Sequence, residues 1–229
     1  MVAGREILVP VKRNRRARRL ILRIDAASGL PVVTLPANTS IAQGKSFLHK
    51  HLGWLEGRLR RAPGEITFRD GTIFPLRAAP CRIAHRGGRG LVELTAGAER
   101  VLSVPGDAEH LARRVTDWLK REARRDLQHS VDRCAQSLGR KPDRIRIGDA
   151  RSRWGSCTAG GVLTFSWRLI FAPPHVLDYL AAHETAHLVE MNHGPRFWAL
   201  VARLHPDFAE SRAWLKQHGA GLHAIGRSP

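Results

Sequence analysis

Residues 183–187 read His-Glu-Thr-Ala-His, and they lie in an apolar stretch whose spacing is typical of a buried helix. A helix turns by about 100° per residue, so histidines four positions apart stand on one face, one turn from each other. Glu184 lies about 100° round from His183, near enough to contact a water molecule held by an ion between the histidines. A histidine beside a glutamate is costly to bury without such a role. The pattern therefore predicts two metal ligands on one helix.

His193 is the leading candidate for a third ligand. If the helix continued past His187, residue 193 would lie about 240° from the ligand face, so the helix must end and the chain must turn back. Asn192 tolerates a left-handed backbone, Gly194 has no Cβ and Pro195 cannot continue a helix. These residues predict a break that returns the imidazole of His193 to the metal.

Two carboxylates further along the chain, Asp207 and Glu210, are alternative third ligands, although both also suit the start of a helix. Either set would bind zinc through three protein ligands and leave a position open for water, whose pKa falls toward about 7. Glu184 would take a proton from this metal-bound water and pass it to the leaving amine. The sequence thus predicts a zinc-dependent metallopeptidase with one ion per chain, acting on a peptide or protein.

Apolar spacing indicates an α+β protein in two parts. Residues 1–105 are predicted to form a basic, β-rich N-terminal lobe with one helix, Ile41–Arg61. Residues 106–229 are predicted to form a zincin-like catalytic lobe, in which a hairpin or small sheet packs against the active-site helix. Strands are expected at Glu6–Val11, Leu20–Ile24, Pro31–Leu35, Glu65–Phe68, Ile73–Leu76, Cys81–His85, Leu91–Thr95, Ile145–Ile147 and Val162–Phe171. Further helices are expected from Asp107 to about Leu138, from His175 to about Met191, and at Phe197–Leu204 and Phe208–His218.

The net charge of +18 is concentrated near the N-terminus, where residues 1–100 hold 19 basic and 7 acidic side chains. Such a field attracts polyanions, which favours nucleic acid or another acidic partner. Since 32 of the 38 basic residues are arginine, a GC-rich coding bias is the other explanation. The alternative function is therefore a nucleic-acid-associated metalloprotein. It would be either a protease of nucleic-acid-bound proteins or a non-catalytic scaffold with a fourth protein ligand.

Membrane and secreted classes do not fit the sequence. No apolar run approaches the roughly 20 residues that span a bilayer, and the first residues lack the apolar core of a secretory signal. The cysteines, Cys81, Cys134 and Cys157, are odd in number and far apart, which argues against a disulfide framework. We therefore expect a cytoplasmic protein without a membrane partner.

Two strings are more specific than the histidine motif itself. Residues 151–157 read Arg-Ser-Arg-Trp-Gly-Ser-Cys, and residues 192–198 read Asn-His-Gly-Pro-Arg-Phe-Trp. With the motif between them and the basic N-terminal strands, they resemble the YgjP-like zinc metallopeptidases, relatives of the SprT and WLM groups. The resemblance covers most of the chain. It implies that His183, His187 and His193 bind zinc, that Glu184 is the general base, and that Thr185 replaces a larger aliphatic residue.

The stretch before the motif has two interpretations. As a strand, residues 153–157 could present an edge to which an extended peptide adds. Alternatively, Trp154 and Trp167 could simply pack the active-site helix on the sheet. Cys157 is expected to be a small buried hydrophobe rather than a nucleophile.

Other residues near the motif are expected to have mainly structural roles. Phe197 and Trp198 should support the turn that carries His193, and Tyr179 should pack rather than assist an oxyanion. Three arginines are candidates for binding the oxyanion or a substrate carboxylate, and the sequence does not choose among Arg153, Arg168 and Arg196.

Overall fold

The computed structural model describes residues 8–24, 30–60, 65–150 and 152–226. The start of the strand expected at Glu6–Val11, the end of the helix expected to reach Arg61, and Arg151 of the resemblance lie outside these residues. Contacts divide the chain into two compact units, Met1–Gly64 and Glu65–Pro229.

The first unit combines a three-stranded sheet with two helices. Its strands are β1 (Val11–Arg13), β2 (Ile21–Ile24) and β3 (Pro31–Leu35), in the order β1-β3-β2, with β1 parallel and β2 antiparallel to β3. Helix α1 (Ile41–Lys50) begins at Ser40, whose Oγ accepts from the Gln43 N–H while the Gln43 side chain accepts from the Ser40 N–H. One continuous helix was expected, but the chain breaks at His51 before α2 (Leu52–Arg60).

The second unit opens with a four-stranded sheet. It contains β4 (Ile73–Leu76), β5 (Ala79–His85), β6 (Glu93–Ala96) and β7 (Arg100–Val104), in the order β4-β5-β7-β6. The sequence analysis missed β7, which pairs parallel to β5. The strand expected at Glu65–Phe68 is wrong, since only a single bridge forms there, between Ile66 and Ile225.

The hairpin between β4 and β5 reaches the segment that precedes the active-site helix. Arg77 and Ala78 adopt left-handed backbone angles, with φ of 52° and 62°. Their N–H groups donate to the carbonyls of Ile170 and Phe171, at 2.7 and 3.2 Å. A 3-10 turn, Trp167–Phe171, stands where the last strand was expected to continue. The N–H of Arg168, the second residue of this turn, donates to Ser166 Oγ, which ends the strand before it.

The long helix α3 (Leu111–Leu138) packs against this sheet and ends at Gly139, which takes a left-handed conformation with φ of 61°. One core joins the inward side chains of the strands to the helix, which explains why β4–β7 group with the second unit. The domain boundary expected from the sequence, between residues 105 and 106, stays a prediction, because contacts within the folded chain do not show which segments fold independently. The residues that form this shared core include Phe74, Ile83, Leu102, Val115, Trp118, Trp167 and Phe171.

The remaining elements surround one helix. Strands β8 (Arg144–Gly148), β9 (Gly155–Cys157) and β10 (Val162–Ser166) form a sheet in the order β8-β10-β9. Helices α4 (Pro174–Ala186), α5 (Pro195–Leu204) and α6 (Phe208–Leu222) follow, and α4 contacts α3, α5, α6 and β9. The α+β class expected from the sequence is confirmed. In the parts of the chain described here, no helix is both long and apolar enough to cross a bilayer.

Candidate metal centre

Helix α4 carries the two motif histidines. It starts at Pro174, where the missing N–H costs nothing, and its apolar face is buried. The helix was expected to reach about Met191, but it ends at Ala186. His187 keeps helical angles at the C-cap position, with φ −65° and ψ −15°. The rings of His183 and His187 therefore still stand one turn apart, with centroids 5.2 Å from each other.

The turn after α4 forms without the special backbone that was expected. Among the described residues, positive φ at non-glycine positions is confined to Arg77 and Ala78, so Asn192 is not left-handed, and Gly194 has φ of −81°. The Gly194 N–H donates instead to the Asn192 carbonyl at 2.7 Å, which tightens the turn. Pro195 then begins α5 rather than merely ending α4.

This turn brings His193 back to the other two histidines. Its Nε2 lies 3.1 Å from Nε2 of His183, and its ring centroid lies 4.7 Å from that of His187. One ring nitrogen from each of the three histidines lies within 4.8 Å of the other two. The alternatives from the sequence, Asp207 and Glu210, are outside this cluster: Asp207 precedes α6, and Glu210 is in its first turn.

The chemistry of this cluster suits a divalent cation. Two Nε2 lone pairs at 3.1 Å repel unless a proton or a cation lies between them, and tetrahedral zinc separates its nitrogen ligands by about 3.3 Å. His187 donates through Nδ1 to the Glu190 carbonyl at 3.0 Å, which leaves its Nε2 free to bind. Burial, with smaller effects from the neighbouring cations and imidazoles, lowers the pKa of His183 to about 4. His183 is therefore neutral near pH 7, the form of imidazole that binds metal.

Phe197 holds the three imidazoles in place. It is fully buried, stacks on His187 with centroids 4.4 Å apart, and meets the rings of His183 and His193 at 4.9 and 4.7 Å. Trp198 contacts the same two rings at 5.8 and 6.0 Å. These contacts confirm the supporting role expected of both residues.

Glu184 is buried beside β9. A Cβ added to Gly155 would lie 2.5 Å from Glu184 Oε1, so the carboxylate fills the space that any other residue at position 155 needs. Burial raises the pKa of Glu184 to about 7, against a lowering effect of the nearby Arg153 charge. A carboxyl group that titrates near neutral pH can both accept and return a proton.

An open cavity of about 280 Å³ adjoins this carboxylate. Two of its lining residues, Arg212 and Lys216, lie one turn apart on α6, and the sequence analysis did not single them out. Their i, i+4 spacing indicates that they share one face of a helix, but nothing in the local pattern shows which face of α6 turns toward α4. The cavity is lined by Trp154, Gly155, Tyr179, Leu180, His183, Glu184, Arg212, Leu215 and Lys216.

Comparison with known proteins identifies the family of this chain. The profile of the YgjP-like family, described as the YgjP-like metallopeptidase domain, matches residues 18–218, which is most of the chain. The chain belongs to the YgjP-like metallopeptidase family. None of the curated proteins matches it. The crystal structure of the metallopeptidase zymogen of Pyrococcus abyssi abylysin is similar at 20% identity and a TM-score of 0.36, covering 39% of this chain and 93% of that one.

Two of the three candidate arginines in this YgjP-like metallopeptidase serve elsewhere. Arg168 is buried, donates to both carboxylate oxygens of Asp149 at 2.7 and 3.2 Å, and also donates to the Ile225 carbonyl. Arg196 is almost fully exposed and lies 4.0 Å from Glu190. Arg153 differs from both, since its charge reaches Glu184.

Tyr179 packs as expected, whereas Cys157, expected to be buried, is only partly buried. The thiol of Cys157 donates to the Thr158 carbonyl at 3.3 Å, and burial, followed by the Glu184 charge, raises its pKa. It therefore stays protonated near neutral pH and is a poor nucleophile. Tyr179 is buried, and its ring meets that of His183 at 5.8 Å.

The stretch before the motif combines both interpretations left open by the sequence. Strand β9 is at the edge of its sheet and pairs antiparallel with β10 alone. Trp167 is buried in the core, and Trp154 stacks on His223 with centroids 4.4 Å apart. The candidate site thus has an edge strand next to the Glu184 carboxylate, and tryptophan side chains pack next to this strand.

Proposed function

We propose that this protein is a zinc-dependent metallopeptidase, with His183, His187 and His193 as the ligands and Glu184 as the general base. The observation that carries the proposal is the convergence of three imidazoles next to a buried carboxylate, in a chain whose family is metallopeptidase. Zinc held by this set supplies a Lewis acid that polarises a carbonyl and acidifies water.

The role of Glu184 follows from its surroundings. Its carboxylate is 5% exposed, and within the described residues no hydrogen bond to the protein occupies it. It is therefore available to accept a proton from an attacking water molecule and to deliver it to the leaving amine. Its raised pKa, about 7, lets both transfers occur near neutral pH.

Strand β9 offers a way to hold the substrate. It has a neighbouring strand on one side only, and Gly155 at its start touches Glu184. A peptide that adds to the open edge would be extended, with its backbone held by hydrogen bonds and its scissile carbonyl near the carboxylate.

Metal analysis and hydrolysis assays on one variant test this function. Glu184→Gln keeps the shape of the side chain but removes its basicity, so zinc should remain near one per chain while kcat/KM falls by about 10²–10⁴-fold. Glu210→Gln, on the exposed first turn of α6, is the matched control and should retain both. Undiminished hydrolysis by Glu184→Gln would refute the mechanism. Zinc binding without any hydrolysis by the wild type would favour a metal-binding scaffold.

A second candidate, association with nucleic acid, is supported by the first unit. Residues 1–64 include thirteen Lys and Arg but only three carboxylates, Glu6, Asp25 and Glu56. A cavity of about 430 Å³ there has Arg18, Arg19 and Lys50 in its lining and no acidic residue. Such a surface attracts phosphates whatever the base sequence.

Salt-dependent binding to duplex and single-stranded DNA tests this candidate. Replacing Arg15, Arg16, Arg18 and Arg19 by Gln should weaken binding. It should also make the slope of log K against log salt less steep, by about 0.9 for each of up to four lost phosphate contacts. Replacing Arg113, Arg121, Arg140 and Arg203 of the second unit is the charge-matched control. Equal losses of DNA affinity in both variants would show that binding depends on the net charge of the protein and not on this surface.

A further inference from the structure

The cavity beside the candidate metal centre contains two cations without anionic partners. Arg212 and Lys216 extend from α6 into the lining that also includes His183 and Glu184. Within the described residues, neither side chain makes an ion pair or a hydrogen bond. A cavity that holds two free cations attracts an anionic group more strongly than one whose charges are balanced.

A second cavity of the second unit, about 400 Å³ in volume, shows the contrast. Its arginines are neutralised in place: Arg77 is bonded to Asp126 at 2.7 Å, and Arg133 to Asp178 at 3.1 Å. Arginine in a lining is thus ordinary in this arginine-rich chain. The cavity beside the metal centre differs because, within the described residues, neither of its two cations makes an ion pair.

Arg212 is placed by an aromatic surface. Its guanidinium carbon lies 4.9 Å from the centre of the Trp198 ring, a cation–π contact that restrains the side chain. The same ring lies 5.8 Å from His183 and 6.0 Å from His193. The guanidinium is therefore held next to the metal ligands, with its N–H groups available to a bound anion.

The cavity fits one substrate side chain. Apart from the cations, the site residues and Tyr179, its walls are largely apolar, formed by Trp154, Leu180 and Leu215. A side chain with a short aliphatic stem can pack on these walls and present its end to Arg212 and Lys216. A carboxylate is the end group that a planar guanidinium binds best, through two parallel hydrogen bonds.

We propose that Arg212 and Lys216 select substrates that carry a carboxylate beside the scissile peptide bond. The selection rests on the proposed peptidase function and specifies its substrate class. The carboxylate comes from an Asp or Glu side chain or from the C-terminus of a peptide, and both sources present the same group to the two cations.

Cleavage of matched peptides tests the selection. A peptide library read by mass spectrometry locates the bonds that the zinc-loaded enzyme cleaves, and the best substrate is then made with Glu or Gln beside that bond. We expect kcat/KM for the Glu peptide to be about tenfold or more higher, the size of one charged hydrogen bond. A second pair, with a free or an amidated C-terminus, separates the two sources of the carboxylate.

Three variants assign any preference to the cavity. Arg212→Gln and Lys216→Gln should each reduce the Glu-to-Gln ratio, and Arg212→Lys should retain part of it. Arg203→Gln, an exposed arginine on α5 outside the cavity lining, is the charge-matched control and should leave the ratio unchanged. If Arg212→Gln slows both peptides equally, Arg212 acts on the reacting carbonyl or on folding, and the selection is wrong.

Equilibrium binding separates this inference from the proposed function. In the zinc-loaded Glu184→Gln variant, tryptophan fluorescence should report tighter binding of the Glu peptide than of the Gln peptide, and adding Arg212→Gln should abolish the difference. Equal binding of both peptides overturns the selection even if the enzyme hydrolyses peptides. If the wild type binds the Glu peptide selectively but cleaves no peptide, only the proposed peptidase function is overturned.

Discussion

The carboxylate of Glu184 lies directly against Cα of Gly155. A Cβ at position 155 would lie 2.5, 2.7 and 2.8 Å from its Oε1, Cγ and Cδ atoms, distances that real Cβ atoms essentially never show. Because Gly155 has no positive φ, its requirement for glycine comes from this contact and not from its backbone. The edge strand and the proposed general base therefore meet at one position, where only glycine fits.

Gly155→Ala should inactivate the enzyme while leaving it loaded with metal. The added methyl group must displace the Glu184 side chain, and a shift of about 1 Å at a reacting group costs about 10²-fold in rate. Hydrolysis and zinc content measured on the same preparation check this. Gly160→Ala is the control, because the nearest atom to its new Cβ is 3.9 Å away. Full activity in Gly155→Ala would mean that Glu184 does not need its present position.

His193→Ala should lower zinc affinity by more than about 100-fold, because it removes a ligand rather than a supporting contact. Asp207→Ala and Glu210→Ala should leave zinc affinity unchanged, since neither carboxylate is in the histidine cluster. Competition with a chromophoric chelator measures all three variants. If either carboxylate variant loses zinc and His193→Ala does not, the ligand set is wrong.

Phe197→Ala should destabilise the protein and weaken metal binding together. Removing this buried ring leaves a cavity, which typically costs about 3–5 kcal/mol in the free energy of unfolding, and it frees three imidazoles from their common support. Denaturant unfolding with and without chelator gives both effects. Phe197→Leu should be milder in each. An alanine variant that unfolds earlier but binds zinc normally would show that the ring stabilises the core only.

Stability should fall in acid partly through Asp149 and Arg168. Burial raises the pKa of Asp149, but the hydrogen bonds and charge of Arg168 outweigh it, so the net pKa lies below its ordinary value of 3.8. A carboxylate with a lowered pKa stabilises the fold above 3.8, and this contribution is lost as pH falls through the folded-state pKa.

The Asp149→Asn variant isolates that contribution. The wild type should be the more stable protein near neutral pH, because the variant leaves the buried guanidinium of Arg168 without its carboxylate. The difference should shrink below pH 3.8, where the wild-type carboxyl group also becomes neutral. Unfolding followed by tryptophan fluorescence from pH 3 to 7 measures it. A difference that stays constant over this range would exclude the ion pair as its cause.

Local patterns predicted the elements that carry the site. The spacing of His183 and His187 required a helix, and Pro195 required a break after it, so the convergence with His193 could be inferred before the structure. The boundaries were less accurate. The active-site helix ends five residues earlier than expected, because i to i−3 bonds, from the Leu188 N–H to the Thr185 carbonyl and from the Val189 N–H to the Ala186 carbonyl, replace the regular helical pattern.

Features that depend on distant pairing were not predictable. Strand β7 forms a local hairpin with β6, but its parallel pairing with β5, which places it inside the sheet, joins segments separated by another strand and a loop. Arg212 and Lys216 were missed because the packing of α6 on α4 decides which of its faces meets the site. The domain boundary, the nucleic-acid partner and the cytoplasmic location stay predictions.

The β4–β5 hairpin has a consequence for the order of assembly. Arg77 and Ala78 hold the carbonyls of Ile170 and Phe171, which lie far along the chain and immediately precede α4. A contact between such distant residues forms only after a large loop has closed, and that closure is slow. During refolding, we therefore expect the four-stranded sheet to form first. The start of α4 would be fixed, and the metal site would form, only after that step.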